Sequence, residues 1–471
     1  MPEPLWNWPD LVAAAHGVAD GTPAWPIRGF SIDTRTLRPG DVFVALTDKR
    51  DGHDFVPAAF RAGAVAAIVA RHYQRGGASN ALLRVADPLE ALSNIGRAAR
   101  QRARARIIAI TGSVGKTGTK EMLSLCLSEL GRTHAAEKSY NNQWGVPLTL
   151  ARLPRDTDYG VFEIGMNHAG EIGPLAGLVT PHAALITSVE AVHLGHFNSV
   201  AGIAEAKAEI LTGLVPGGSA VLPRDNAHFK LLRERAAAVG AKILTFGYHA
   251  DADFRGLQVD LGPKGSSVIA GFGTQRFPYR LGAPGEHYVK NSLAVLAALS
   301  ALGLDIMRSL PALARVSAPA GRGARTLIDT PDGPILLIDE SYNANPASVR
   351  AALAAMATTP REAYRRRVAV LGDMLELGQS APDLHQGLKD AIDAAGVDLV
   401  LSCGPLMRLL HDSLAPGQRG QWTQNSFELV DPLIASVRSG DVVMIKGSLG
   451  TNMAPLVAAL LARFRPARSG G

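Results

Sequence analysis

The hydrophobic pattern of the chain divides into three blocks. In the first, which runs to about residue 103, short strand-like pieces such as Asp41-Val-Phe-Val-Ala-Leu46 mix with helical stretches such as Phe55 to Ala62. The second opens on the apolar run Ile107-Ile-Ala-Ile110, passes through a Gly-rich turn and enters a helix that ends near Gly131, a residue suited to a helix C-cap. Strands are predicted at Val161 to Ile164 and Ala183 to Thr187 with helical segments between them, the pattern of a parallel sheet covered by helices. The Gly- and Pro-bearing segment Ser317-Ala-Pro-Ala-Gly-Arg-Gly323 marks the second boundary. Beyond it Ile335 to Ile338, Arg367 to Leu371, Leu399 to Ser402 and Val442 to Ile445 alternate with helical segments. The expected architecture is α/β in three domains: a small α/β N-terminal domain over 1–103, a central P-loop-type domain over 104–318 with a mostly parallel sheet and helices on both faces, and a Rossmann-like α/β domain over 319–471.

A length of 471 residues fits that partition at roughly 100–200 residues per domain, and it rules out a single small binding module. With 47% hydrophobic and 19% charged residues the chain can bury several cores, so wholesale disorder is excluded; 6% aromatics make those cores mainly aliphatic. The first residues, with Glu3, Asn7 and Asp10, do not read as a secretory signal, and no apolar run approaches the ~20 residues of a membrane helix. Cys126 and Cys403 are the only cysteines, so a disulfide framework is excluded and a cytoplasmic setting is expected. The net charge of +6 permits an acidic partner without choosing one. Its one concentrated source, Arg97, Arg100, Arg102, Arg104 and Arg106, has no aromatic residues interleaved, so nucleic acid is not an expected partner. That run reads as a solvated helix end or connector at a domain boundary.

Chemistry enters with Ile107-Ile-Ala-Ile-Thr-Gly-Ser-Val-Gly-Lys-Thr117. A buried strand leads into a Gly-rich turn whose backbone N–H groups can face phosphate oxygens, and the following helix adds its positive end. Lys116 would reach the terminal phosphates and the Thr117 hydroxyl would ligate Mg²⁺. The longer general pattern wants Gly where Ile110 stands, so the match is to the shorter Gly112-x-x-Gly115-Lys116-Thr117 form. A second candidate is Ile335-Leu-Leu-Ile-Asp339-Glu340, four apolar residues ending in two acids, as in the metal-binding strand of a motor-type ATPase. It lies more than two hundred residues after the loop and across a predicted boundary, which weakens that reading.

Glu163 stands near the end of a predicted strand, where parallel sheets place their ligands; it holds a metal or belongs to a buried ion pair. His193 and His196 have no cysteines nearby, so a hard metal beside triphosphate fits them better than zinc, with a structural histidine as the other reading. From Ser199, a plausible N-cap, the chain reads as a helix to Leu211, and Ile203, Lys207, Ile210 and Leu211 share one face. Lys207 thus interrupts an apolar stripe; it either snorkels outward or works as a sheltered amine. His287 and Asn291 share a face at the start of a long helix, where they read a purine edge or serve capping and packing.

Taken in order, the phosphate loop, the Glu163 strand, the His193 region, Ala206-Lys207-Ala-Glu-Ile210, the His287 to Asn291 helix start and Gly321-Arg322 resemble the Mur ligases over essentially the whole chain. These are ATP-dependent amide-forming enzymes of peptidoglycan precursor synthesis. Within the family the likeness is strongest to the branch that joins D-alanyl-D-alanine to UDP-N-acetylmuramoyl-tripeptide. It rests on Ser31-Ile-Asp-Thr-Arg35, Leu37-Arg-Pro-Gly-Asp41, Asn141-Asn-Gln-Trp-Gly-Val-Pro147, Asp339-Glu-Ser-Tyr-Asn-Ala-Asn-Pro346, Leu371-Gly-Asp-Met-Leu-Glu-Leu377 and Lys446-Gly-Ser448. The Asp-Asn-Pro-Arg tetrapeptide typical of the sister ligase that adds the third amino acid does not occur. Folate-polyglutamate synthases share the central domain but not the first-domain Ser-x-Asp-x-Arg segment.

The resemblance implies ATP and two Mg²⁺ ions, with the tripeptide carboxylate phosphorylated to an acyl phosphate that the dipeptide amine attacks. Gly112, Ser113, Val114, Gly115, Lys116, Thr117 and Gly118 would bind phosphates, His287 and Asn291 the adenine, Arg322 the phosphates and Asp339 the ribose. Thr117 and Glu163 would hold one metal; His193 and a Lys207 carbamoylated by CO₂ would serve the second, with Lys116, His193 and Lys207 as catalytic residues. Ser31, Asp33 and Arg35 are implied for the uridine diphosphate, Asn142 and Gln143 for the muramoyl or peptide part, and Tyr342, Asn343 and Asn345 for D-Ala-D-Ala. Thr34 stands where the family usually has Ser. A monomer without membrane insertion is expected, whose third domain swings onto the second. The sister ligase and a P-loop ATPase coupling hydrolysis to motion remain the alternatives.

Overall fold

The computed structural model describes residues 3–74, 80–192 and 194–466, folded around three sheets. The first sheet has five strands; Gly29–Ser31, Asp41–Val44, Ala66–Ala70 and Ala81–Val85 run parallel and Val18–Asp20 closes the far edge antiparallel. The helix Pro88–Arg102 covers this sheet, started by Pro88 and by Asp87, whose carboxylate accepts the N–H groups of Leu89 and Glu90. The predicted helix at Phe55 to Ala62 is present as Val56–Arg61, preceded by a 3₁₀ turn at Gly52–Phe55.

The basic run at the first boundary is a solvated helix end and connector only in part: Arg97 and Arg104 are exposed, but Arg100, Arg102 and Arg106 are engaged. Arg100 donates to the carbonyls of Val179 (2.9 Å) and Thr180 (3.0 Å), and Arg106 to that of Leu302 (2.5 Å). Arg102 lies over the Trp6 ring at 3.6 Å, and burial pulls its guanidinium down to about 10. These cations satisfy carbonyls at helix ends and join the first block to the second. Sequence reading missed this because periodicity marks exposure on one helix and says nothing of the neighbour that covers it.

In the central sheet of nine strands, those from Thr133–Ala135 through Phe254–Gly262 pair in parallel. Alternate residues of Arg106–Thr111 feed opposite cores, Ile108 and Ile110 on one side and Ile107 and Ala109 on the other, so helices cover both faces. Two further strands, Gly265–Phe272 and Gln275–Leu281, extend the sheet antiparallel, a feature the sequence pattern did not foresee. Arg106–Thr111 lies between Ala183–Ile186 and Tyr159–Glu163, so the chain leaves it in both directions and opens a crevice at the carboxyl ends.

The third sheet has seven strands, with Arg366–Gly372, Asp441–Lys446 and Gly333–Glu340 parallel neighbours at its centre. Its carboxyl ends face the crevice of the central sheet, and the two together form the site. Among the described residues no helix is long and apolar enough to cross a membrane.

Candidate active site

The turn between Thr111 and Lys116 has the backbone that its glycines permit. Gly112 (φ 151°) and Gly115 (φ 87°) both have positive φ. A Cβ on Gly112 would lie 1.9 Å from Thr187 Oγ1 and one on Gly115 2.7 Å from Asn291 Oδ1, so neither position admits a side chain. The residues after Ala183–Ile186 brace the turn from outside. Ser113 N donates to Ser188 O (2.9 Å), Val114 N to Ser188 Oγ (3.1 Å), the Thr187 hydroxyl to Val114 O (2.5 Å) and Glu190 N to Ser113 Oγ (2.9 Å). Lys116 folds back and donates to Gly112 O at 2.7 Å. Burial pulls its ammonium below the usual lysine range, with the Glu163 carboxylate opposing and Arg322 reinforcing.

Beside the turn, the Thr117 hydroxyl donates to Glu163 Oε2 at 2.9 Å and lies 3.0 Å from Ser139 Oγ, while Asn141 Nδ2 donates to Glu163 Oε1 at 2.8 Å. Glu163 is 1% exposed, and among the described residues its hydrogen-bond partners are neutral and it forms no ion pair. A carboxylate and two hydroxyls beside a phosphate loop form a hard-oxygen donor set suited to Mg²⁺. Ser139 and Asn141 were not singled out from sequence; Asn141 opens a segment whose next two residues were.

Lys207 is buried at 2% exposure, so it does not snorkel. Its helix, Val200–Ala208, starts at Ser199, whose side chain accepts the Gly202 N–H, and continues as a 3₁₀ turn that buries Ile210 and Leu211. Burial holds the Lys207 amine well below the usual lysine range, and the nearby Lys116 charge adds to it. His193 lies outside the described residues. His196 meets His168 with ring centres 4.4 Å apart and ring planes tilted by 55°.

The adenine candidates sit on the helix Glu286–Ala301. Asn291 packs against Gly115, and both His287 and Asn291 line the cleft. Gly285 is the N-cap residue, so neither side chain caps this helix. Burial holds the His287 imidazole below its usual range, against the pull of the Glu340 carboxylate.

Across the cleft, Arg322 lies over the Tyr342 ring at 4.1 Å and reaches Ser139 Oγ at 3.4 Å. Asp339 is used within its own domain: Oδ2 accepts Gly321 N (2.8 Å), and Oδ1 accepts Ser341 N (3.1 Å) and its hydroxyl (2.6 Å). The acid that lines the cleft is the next residue, Glu340, because successive residues of a strand point to opposite sides. Lys446 donates to Glu340 Oε2 at 3.1 Å and to Asn343 O at 3.0 Å. From sequence Glu340 was weighed only as a metal acid of the motor-type alternative, and Lys446 only as part of a motif. Their two strands belong to the third sheet, whereas the acid beside the phosphate loop is Glu163, so the motor-type arrangement is not built here. Asn345 is committed in part to a capping box with Ser348 at the start of Pro346–Ala357.

The resulting cleft of about 540 Å³ is lined by the phosphate loop and Glu163 on one wall, by Asn142 and Gln143, and by Arg322, Tyr342, Asn343 and Asn345 on the other. Asn142 Oδ1 accepts the N–H groups of Trp144 and Gly145, so its oxygen is engaged locally. Ser31, Asp33 and Arg35 are not part of this lining; they sit at the end of Gly29–Ser31 in the first sheet. Arg35 pairs with Asp33 at 2.7 Å and its side-chain hydrogen bond holds the Asp33 carboxyl below the usual range. Arg38 pairs with Glu137 at 3.0 Å, connecting that loop to the segment that leads into Ser139 and Asn141.

Comparison with known proteins adds the following. Residues 110–299 match the Mur ligase middle domain and residues 325–449 the Mur ligase glutamate ligase domain. The chain is 37% identical, over 93% of its length and 92% of the relative's, to the UDP-N-acetylmuramoyl-tripeptide--D-alanyl-D-alanine ligase of Synechocystis sp.. A crystal structure of MurF from Acinetobacter baumannii superposes with a TM-score of 0.84 at 32% identity, covering 98% of this chain and all of that one. MurF from Thermotoga maritima, solved in complex with ADP, shares the fold with a TM-score of 0.75 at 23% identity, over 93% of this chain and 98% of that one.

Proposed function

The chain belongs to the Mur ligase family, and from that premise we propose that it joins D-alanyl-D-alanine to UDP-N-acetylmuramoyl-tripeptide with the conversion of ATP to ADP and phosphate. The observation that carries this reading is the cleft itself, in which a phosphate loop faces a wall from the third domain. A ligase needs that arrangement because the acyl acceptor must reach a phosphoryl-activated carboxylate without water.

In this reading the terminal carboxylate of the tripeptide attacks the γ-phosphorus, ADP leaves, and the dipeptide amine displaces phosphate from the acyl phosphate. Two anions must approach each other in the first step, so charge neutralisation and alignment dominate. The N–H groups of Gly112 to Gly118 cradle the phosphates, and Lys116 exchanges the Gly112 carbonyl for a phosphate oxygen. Arg322, beside Ser139, supplies a second cation from the third domain. Thr117 and Glu163 would hold a Mg²⁺ ion, which when bound neutralises phosphate charge. Burial lowers the Lys207 pKa and so favours the neutral amine that carbamoylation by CO₂ requires, and with His193 Lys207 would serve a second ion.

His287 and Asn291 read the adenine. Ser31, Asp33 and Arg35 in the domain over 1–103 take the uridine diphosphate, Asn142 and Gln143 the muramoyl peptide, and Tyr342, Asn343 and Asn345 in the domain over 319–471 the dipeptide. The product feeds peptidoglycan synthesis, which places the enzyme in the cytoplasm, and a monomer carries the complete site. The test is phosphate release from ATP in a matrix of acceptors. Release should require both UDP-muramoyl tripeptide and D-Ala-D-Ala; turnover of ATP alone would sink the ligase reading, and turnover with a single amino acid would move it to the sister enzyme.

A further inference from the structure

The segment Leu371-Gly-Asp-Met-Leu-Glu-Leu377 has no part in the chemistry above, yet its backbone is pinned at successive residues. The Asp373 carboxylate accepts Met407 N (2.7 Å) and Leu406 N (3.3 Å), and its carbonyl accepts Ser448 N (3.1 Å) and the Thr451 hydroxyl (2.9 Å). Met374 N donates to the buried His385 Nε2 (2.9 Å) and Leu375 N to Ser448 Oγ (2.8 Å). So held, the chain turns through two left-handed residues, Glu376 (φ 63°) and Gly378 (φ 60°), the first an uncommon conformation for glutamate.

The turn is aimed at the central domain. Glu376 O accepts Gly195 N at 3.0 Å, and a Cβ on Gly378 would stand 3.2 Å from both Gly195 Cα and Leu194 O. The contact is therefore made backbone against backbone and leaves no room at residue 378. Gly195 lies between two functional stretches: residues 187–190, which brace the phosphate loop, and the helix Val200–Ala208, which carries Lys207.

The geometry points to a positioning role for this turn: when the third domain docks, Glu376 O and Gly378 seat Leu194 and Gly195, and so fix the stretch between the phosphate-loop braces and the Lys207 helix. Docking of the dipeptide domain is thereby linked to the alignment of the phosphate site. Catalytic readouts of this role rest on the ligase reading, so one measurement must not.

The experiment compares Gly195→Ala, Gly195→Val, Gly378→Ala and the double variant Gly195→Val/Gly378→Ala in the full chain. At Gly195 a lone Cβ would meet Glu376 O at an ordinary 3.5 Å, so Gly195→Ala should keep wild-type kinetics, whereas the branched valine should part the two loops. Gly195→Val and Gly378→Ala should each lower kcat about tenfold or more with KM for ATP unchanged. The double variant should lose no more than the worse single, because both break one contact. Wild-type kcat in Gly195→Val, or losses that multiply in the double variant, would overturn the proposal. If Gly378→Ala fails to fold, Gly195→Val still decides, since it leaves the third domain's backbone untouched. Hydrogen exchange at the Gly195 amide should be slow in the wild-type protein and fast in Gly195→Val and Gly378→Ala, and this needs no turnover. Equal exchange in all three would overturn the contact, whereas slow exchange in a protein without ligase activity would fault only the ligase reading.

Discussion

The two walls of the cleft are made in different ways. The phosphate wall is contiguous: the strand Arg106–Thr111, the glycine turn and the helix Lys116–Ser128 deliver Lys116 and Thr117, and the neighbouring strand adds Glu163. The opposing wall is collected from the ends of two strands that are neighbours only in the sheet, with Tyr342 to Asn345 after one and Lys446 to Leu449 after the other, while Asp373 to Gly378, after a third, pins Ser448 from outside the cleft lining. Their charges differ too. Glu163 is held by neutral donors, which an incoming cation can displace, while Glu340 is already paired with Lys446. A wall that exchanges partners suits chemistry, and a wall closed on itself suits the placing of a substrate.

The strongest test of that division is Lys207→Ala, which removes the buried amine on the phosphate side. Ligation should fall about a hundredfold to a thousandfold and recover in part with added short carboxylic acids, because an acid can stand where the carbamate would. KM for D-Ala-D-Ala should not change. The measurement is steady-state phosphate release with and without the added acid; full activity in the unsupplemented variant would remove Lys207 from the site.

How far each wall could be read from sequence follows from the same contrast. The strand, turn and helix of the phosphate loop are written in local spacing, whereas the apolar stripe around Lys207 left snorkelling and shelter both open, and only the packing around its helix decides for shelter. Asp339 and Glu340 show the limit. Sequence places both at a strand end, but which one faces the cleft depends on the pleat of a sheet whose partners lie about a hundred residues away, and the structure turns Asp339 to Gly321 and Ser341 instead. Lys446 was visible only as part of a motif, since its role depends on pairing with Glu340 across parallel strands. The hairpin strands after Phe254 were missed because their half-exposed pattern lacks a continuous apolar run.

A smaller effect is expected from Lys446→Met on the collected wall. Losing the ammonium frees Asn343 O and leaves the half-buried Glu340 without its cation, so the 341–345 segment should loosen. KM for D-Ala-D-Ala should rise about tenfold while KM for ATP stays within error, as expected from the loss of one charged hydrogen bond of about 1.5 kcal/mol. An equal rise for ATP would break the division of labour, and the proximity of Lys446 to His287 makes that outcome worth measuring.

The smallest effect concerns the stability of the loop that braces the collected wall at Ser448. His385 is fully buried; its Nε2 accepts Met374 N and its Nδ1 faces Ala381 O at 2.6 Å, so the ring is neutral when folded. Burial holds its pKa below the usual value, despite opposing contributions from Ala381 O and Asp373. The unfolded ring takes up a proton near pH ~6.5 and the folded ring resists it, so the unfolded state binds more protons below that point. Stability is therefore full above pH ~6.5 and declines as the pH falls toward the folded value. The Asp373 carboxyl, raised by burial, binds its proton more readily when folded and opposes that loss once the acid range is reached. His385→Leu should cost about 1–3 kcal/mol at pH 8 by leaving Met374 N without its acceptor. It should also shrink the loss of stability between pH 8 and 6 without abolishing it, because burial lowers His134, His182 and His287 in the same direction. Thermal unfolding across that range for both proteins supplies the comparison; parallel curves would mean that the loop pinned by His385 stands outside the titration, and that the two walls share one source of pH sensitivity.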